Sequence, residues 1–273
     1  MRARHPGPDA EHEVADMIAE ITGLSRTEQA ARGREAVDAG DRDRIMALME
    51  RRISGEPLDH ILGRREFMGR RFAVTREVLS PREDTEVLVR RALDMAKGVE
   101  GMRLLDLGTG TGAVAISLLL ALPDASALAV DLSPEALLVA EDNARAHGVA
   151  DRLDLVQGSW FAAVEGRYDL IVSNPPYITD AAMRDLEREV ADYDPALALA
   201  GGPDGLDAFR VIAGQARAHL QAGAPIALEI GYDLGPTVMA LLAEAGFEDL
   251  AITRDLAGHD RVVTGRNPAH NHT

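Results

Sequence analysis

Asn174-Pro175-Pro176-Tyr177 follows the largely apolar run 168–172 after a single serine, and its residue types suit a receptor for a neutral nitrogen. Neither proline carries a backbone N–H, and each biases the residue before it towards extended backbone. Asn174 and Pro175 are therefore held stiffly, with carbonyl groups that no helical turn consumes. Asn174 adds a side-chain acceptor, and Tyr177 adds a flat apolar face with a polar tip. A planar N–H-bearing group can lie against the tyrosine while donating to these acceptors. Read alone, the tetrapeptide is equally an ordinary Asn-Pro turn.

A second stretch shifts that balance. Leu104-Leu-Asp106-Leu-Gly108-Thr-Gly110-Thr-Gly112-Ala113 closes one strand and opens a helix, with glycines that let the backbone approach a ligand. Asp131 ends the next strand, where a carboxylate can grip both hydroxyls of a ribose. Together these point to an adenosine-bearing ligand. Gly108, Gly110 and Ala113 also satisfy the dinucleotide pattern G-x-G-x-x-A, so an NAD-dependent oxidoreductase is a competing reading. Asp106 opposes it, because a carboxylate just before the glycines repels a pyrophosphate but suits an ammonium. S-adenosylmethionine carries an ammonium and a ribose and no phosphate. Trp160, the only tryptophan, can stack on an adenine or fill the core. Arg82, in a proline-containing loop, is a candidate for touching substrate. His60 reads as structural, and no metal site is expected.

These residues need a sheet to hold them. Strands at 103–107, 126–130, 153–157, 168–172 and 224–230 alternate with helices at 112–122, 134–147, 205–220 and 233–245. That alternation specifies a doubly wound, mostly parallel α/β sheet. Strands at 247–253 and 261–265, joined by a short turn, are expected to add a C-terminal antiparallel strand. Before the sheet, residues through Pro8 read as a tail, and 9–21 and 41–53 as amphipathic helices. Val14, Met17, Ile18 and Ile21 form one apolar stripe, and Ile45, Leu48, Met49 and Ile53 another, with Asp41 as N-cap and Gly55 as stop. Phe67 and Phe72 flank Met68-Gly69 as a β-hairpin, and a loop from Leu79 leads into a helix at 85–96. The expected division is a helical domain at 9–63, a hairpin linker at 64–82 and a catalytic domain at 83–273.

Composition bounds the function. The 273 residues are 46% hydrophobic and 27% charged, as in a globular protein, with a formal charge of −16. Such an acidic surface repels phosphate backbones and argues against nucleic acid as the main substrate. No apolar run approaches the ~20 residues of a membrane span, and the N-terminus lacks the apolar segment of a secretory signal. The absence of cysteine excludes disulfides and thiolate ligation, and fits a cytoplasmic protein.

Taken together, these residues resemble the HemK/PrmC family of peptide-chain release factor glutamine N5-methyltransferases. The resemblance runs over almost the whole chain. It rests on Gly55-Glu-Pro-Leu58, Arg65-Glu-Phe67, Pro81-Arg82 with Thr85-Glu86, the Asp106 to Gly112 stretch, Asn174 to Tyr177, Gly201-Gly-Pro-Asp-Gly-Leu206 and Asp255-Leu-Ala-Gly-His-Asp-Arg261. Asn-Pro-Pro-Tyr alone is shared with adenine-N6 methyltransferases. Four positions depart from the family pattern: Glu83-Asp84 where it has Pro-Glu, Ser159 where it often has Asp, and Asp194 before Pro195 where it favours Glu.

The resemblance implies a Rossmann-like class I S-adenosylmethionine-dependent methyltransferase preceded by a small all-helical, substrate-recognising domain. It implies that the cofactor is bound by Asp106, Gly108, Thr109, Gly110, Thr111, Gly112, Asp131, Trp160 and Asn174. The implied substrate is the Gly-Gly-Gln glutamine of bacterial class 1 release factors, held by Asn174, Pro175, Pro176 and Tyr177 with Arg82 nearby. A monomer is expected. The competing functions are glutamine methylation of a ribosomal protein, adenine-N6 methylation, and a non-catalytic S-adenosylmethionine-binding module.

Overall fold

The computed structural model describes residues 10–269, so the expected tail through Pro8 and the start of the first helix at Asp9 lie outside the described residues. Two units make up the chain, one ending at Arg64 and one beginning at Arg65.

In the first unit, α1 (Ala10–Thr22) buries Met17. A short α2 (Arg26–Ala31) starts at a capping box in which Ser25 Oγ accepts the Glu28 N–H and Glu28 Oε2 accepts the Ser25 N–H. Its six residues are too few to show an apolar period, so only the Ser-x-x-Glu signature could reveal it. α3 (Ala39–Ile53) begins earlier than expected, and its N-cap is Asp38 rather than Asp41. The Asp38 backbone is non-helical, with ψ 144°, and its carboxylate accepts the Gly40 N–H at 2.8 Å. Asp41 instead sits in the first turn, where the helix dipole favours an acid. Ile53 was expected on the apolar stripe, but it is 81% exposed while Ile45 is buried. Arg52 ties α3 to α1, donating to both Glu13 oxygens at 2.9 and 3.0 Å. α4 (Leu58–Leu62) buries His60 and Ile61.

The hairpin pairs β1 (Arg64–Phe67) with β2 (Arg70–Ala73). Met68 and Gly69 both take positive φ at its turn, and Glu86 Oε1 fixes the turn by accepting the Met68 N–H at 3.0 Å. Phe67 and Phe72 meet edge to face and are fully buried. They share a core layer with α5 (Thr85–Met95) and α6 (Ala113–Ala121).

The main sheet contains β3 (Arg103–Leu107), β4 (Ser126–Asp131), β5 (Leu153–Gln157), β6 (Leu170–Ser173), β7 (Pro225–Glu229), β8 (Glu248–Arg254) and β9 (Asp260–Arg266). Its spatial order is β5-β4-β3-β6-β7-β9-β8. The first five are mutually parallel, and β9 lies antiparallel between β7 and β8. Period-two alternation divides the strands between two core layers. Leu104, Ala127, Leu170 and Ala227 face α5 and α6. Leu105, Ile171, Ile226 and Val263 face the opposite layer.

The connecting helices are α7 (Pro134–Ala146), α8 (Arg188–Tyr193), α9 (Ala196–Leu199), α10 (Asp207–Ala216) and α11 (Gly235–Glu244). Two expected elements come out shorter. Tyr168 forms an isolated bridge to Leu220 rather than the start of β6. The helix expected at 205–220 ends at Ala216 and tightens into a 3₁₀ turn, Arg217–His219.

Candidate active site

Parallel register aligns Val130, Leu107, Ser173 and Leu228 in one row across the sheet. The next residue on each strand leaves the row at its carboxyl end: Asp131, Gly108, Asn174 and Glu229. β3 lies between β4 on one side and β6 on the other, so the chain reverses its winding direction at Gly108. Open α/β sheets bind ligands at such a switch point.

A cavity of about 590 Å³ opens there. Of the expected cofactor residues, Asp106, Gly108, Thr109, Gly110, Thr111, Asp131, Trp160 and Asn174 all line it. Gly112 does not. It caps α6 with φ +78°, and a Cβ there would sit 2.9 Å from Ile116 Cδ1, so its task is to let the glycine turn pack on the helices behind it.

Asp131 is held by the loop it faces. Its Oδ2 accepts the Gly110 N–H at 2.8 Å and its Oδ1 accepts the Ser133 N–H at 3.0 Å. Asp106 is 2% exposed, and its Oδ2 accepts the Thr109 hydroxyl at 2.7 Å. Burial pushes its carboxyl up to about 6, against the pull of the Thr109 hydroxyl and the Ala115 N–H. Trp160 takes a positive φ of 52° and turns its indole towards Gly108.

The lining carries the carboxylates Glu77, Asp106, Asp131 and Asp207, with Arg82 as its single arginine. This donor set fits S-adenosylmethionine, whose ammonium and sulfonium are cationic, and is wrong for the pyrophosphate of a dinucleotide.

At the other end of the row, Asn174 lines the cavity and donates from Nδ2 to Thr85 Oγ1 at 3.3 Å. Its Oδ1 makes no hydrogen bond among the described residues, and lies on the arm of the amide away from Thr85. Pro176 also lines the cavity, whereas Pro175 and Tyr177 do not. Pro175 is buried behind them. The Tyr177 ring is half-buried against Gly231 and the second core layer. Burial and the nearby Glu229 push its phenol up to about 12. Gly201 and Gly205 pack on the Tyr177 main chain so closely that a Cβ at Gly205 would lie 2.4 Å from its carbonyl oxygen. Arg82 lines the cavity and donates to Asp194 Oδ2 at 2.8 Å.

Three residues at this site were not singled out from the sequence. Thr85 opens α5 beside Asn174. Asn143, in α7, donates to the Thr111 carbonyl of the glycine loop at 2.9 Å. Glu229 is 2% exposed at the end of β7. Thr85 was visible only as part of a family segment, and Glu229 as an acid closing the apolar run Ile226-Ala-Leu228.

The fold and the donor set define a class I S-adenosylmethionine-dependent methyltransferase. Residues 83–191 match the methyltransferase small domain, and residues 3–63 match the PrmC N-terminal domain. The chain is 41% identical to the release factor glutamine methyltransferase of Agrobacterium fabrum over 254 residues, covering 92% of this chain and 88% of that protein. Against the enzyme of the same name from Bordetella pertussis it is 43% identical over 256 residues, covering 92% and 93%. A ribosomal protein L11 methylase from Lactobacillus delbrueckii shares the fold, with a TM-score of 0.52 and 23% identity over 68% of this chain and 80% of that one. The chain belongs to the release factor glutamine methyltransferase family.

Proposed function

We propose that this protein transfers a methyl group from S-adenosylmethionine to the side-chain amide nitrogen of the Gly-Gly-Gln glutamine in bacterial class 1 release factors. The observation that carries this reading is the Asn174 amide, held by Thr85 with its oxygen free to accept. The family relationship supports it.

A carboxamide nitrogen is a weak nucleophile because its lone pair is delocalised into the carbonyl. S-adenosylmethionine, when bound, would supply a methyl group activated on a sulfonium, its sulfur leaving as the thioether of S-adenosylhomocysteine and the alkylated amide losing its extra proton to water. In this reading Asp106 faces the ammonium of the cofactor, Asp131 its ribose hydroxyls and Trp160 its adenine. Asn174 Oδ1, on the cavity wall, accepts one N–H of the glutamine and so aims its nitrogen along the line of attack; the Pro175 carbonyl, behind the wall, is the proposed acceptor of the other once the substrate loop is seated. They also face the position where positive charge develops, the cationic counterpart of an oxyanion hole. Tyr177, with its ring half-buried and its main chain clasped by Gly201 and Gly205, keeps the two prolines in place. Arg82 borders the route by which the substrate loop enters. The helical unit at 9–63 recognises the release factor, in keeping with its match to the PrmC N-terminal domain.

Intact mass spectrometry of purified release factor, after incubation with this protein and S-adenosylmethionine, tests the reading. One added methyl mapped to the Gly-Gly-Gln glutamine supports it. Cofactor binding without transfer would redirect the search to ribosomal proteins.

A further inference from the structure

Arg82 is the single arginine on the cavity wall, and it stands at a defined end of the cavity. Its carbonyl accepts the Thr85 N–H at 3.0 Å, and Thr85 Oγ1 accepts the Asn174 side-chain N–H at 3.3 Å. One turn of chain therefore separates the arginine from the residue that holds Asn174. In the methyl-transfer reading above, the sulfonium of the cofactor comes to this end, because its methyl group must meet the nitrogen that Asn174 receives.

An unopposed arginine is unfavourable there. A guanidinium keeps its proton in proteins, and its charge would repel a sulfonium in a cavity whose lining otherwise favours cations. Asp194 supplies the opposing charge. Its Oδ2 accepts an Arg82 N–H at 2.8 Å, the one hydrogen bond that the guanidinium makes among the described residues. The aspartate side chain is 3% exposed and the arginine side chain 50%. The acid thus lies behind the wall while the base borders the site.

The contact does more than hold the fold together. Residues 77–82 and 195–198 form two walls of the cavity, and Arg82 and Asp194 are 112 positions apart in the chain. These walls are already joined beside the ion pair, where Arg76 lies over the Tyr193 ring at 5.3 Å. Joining them does not require a charge on Asp194. A carboxylate so far out of water is costly to keep ionised.

We propose that Asp194 is a specificity-determining residue: by cancelling the charge of Arg82 it lets the cavity accept the sulfonium of S-adenosylmethionine over the neutral thioether of S-adenosylhomocysteine. The two ligands share adenosine, ammonium and carboxylate, and differ by one methyl group and one positive charge. Their relative affinity therefore reads the electrostatic potential at the sulfur. The proposal rests on the methyl-transfer reading, which brings the sulfur to the Asn174 end.

The test is isothermal calorimetry of both ligands on the full chain, as parent, Asp194→Asn, Arg82→Gln and the double variant. Asparagine keeps an oxygen for Arg82 and removes only the charge. Asp194→Asn should lower the affinity for S-adenosylmethionine relative to S-adenosylhomocysteine on the order of tenfold, the effect of one charge about 10 Å away in partly screened surroundings. The double variant, with neither charge, should return to the parent ratio. If Asp194→Asn does not fold, Arg82→Gln carries the test: it leaves the acid unopposed and should move the ratio towards S-adenosylmethionine.

A role confined to tying the two walls together would weaken both ligands alike, so an unchanged ratio in Asp194→Asn would overturn the proposal. A ratio still depressed in the double variant would overturn it too, because the effect would not run through Arg82. So would an Arg82→Gln ratio equal to the parent's. None of these measurements needs a protein substrate. Failure of the parent to methylate release factor would count against the proposed function, while these ratios decide the role of Asp194.

Discussion

Asn143 brings both arms of its carboxamide to one residue of the hairpin: Oδ1 accepts the Ala73 N–H at 2.7 Å and Nδ2 donates to the Ala73 carbonyl at 3.1 Å. The same Nδ2 also donates to the Thr111 carbonyl at 2.9 Å. One buried side chain thus joins the hairpin edge to the loop that lines the cavity. Asn143→Ala leaves three main-chain groups without partners, at a cost of about 1–3 kcal/mol for each that water cannot reach. Urea unfolding should show a total loss of roughly 3 kcal/mol, and calorimetry should show weaker S-adenosylmethionine binding as the loop loosens.

Asp106 should make cofactor affinity depend on pH. Its carboxyl is raised to about 6 by burial, and in the proposed binding mode it would meet the cofactor ammonium only when ionised. Below that value affinity should follow the ionised fraction, so at about pH 5 it should be roughly tenfold weaker than at about pH 7. Asp106→Asn should bind weakly at both and lose the step. Isothermal calorimetry across the range reads this directly.

Asn174 and Asp131 should separate chemistry from binding. Asn174→Ala should lose on the order of 10²–10³ in single-turnover rate, with cofactor affinity little changed. Asp131→Ala should weaken cofactor affinity, because it removes the proposed ribose contact and also frees the Gly110 and Ser133 N–H groups. Parent-rate methylation by Asn174→Ala would discard the proposed mechanism. Unchanged binding by Asp131→Ala would remove Asp131 from the site.

Glu229 should oppose stability at alkaline pH. Burial raises its carboxyl to about 7 from a usual 4.5. A raised folded-state pKa means that the folded protein holds the proton more tightly, so its favourable contribution is complete below the unfolded value and lost as pH rises through the folded one. By about pH 8 the penalty is on the order of 3 kcal/mol. Glu229→Gln should therefore unfold at higher urea concentration than the parent at about pH 8, with the advantage disappearing towards about pH 4.

Much of this arrangement could be read from the sequence because it is local. The strand-glycine-helix stretch at Asp106 to Gly112, the acid closing the next strand and the two prolines after Asn174 each carry their reason within a few residues. The parts that escaped depend on long-range partners. Nothing near Thr85 indicates that it meets Asn174, 89 positions away, and nothing near Asn143 points to Ala73, 70 positions away. Gly201 and Gly205 were visible as a family segment, but their physical reason, close passage against the Tyr177 backbone, exists only in the folded chain. Asp38 displaced Asp41 as a cap because backbone conformation, shared by no residue type, decides between neighbouring acids.

The row that runs from Asp131 through Gly108 to Asn174 also works as a ruler. Neighbouring strands stand about 4.8 Å apart, so the two outer positions are separated by two intervals, roughly 10 Å. That span is set by backbone hydrogen bonding and no side-chain substitution can stretch it. In the proposed binding mode, a donor held by its ribose at one end would deliver its methyl group at a fixed reach. On that proposal, analogues with a longer or shorter link between sugar and sulfur should bind and yet miss the nitrogen, a selection by length as well as by charge.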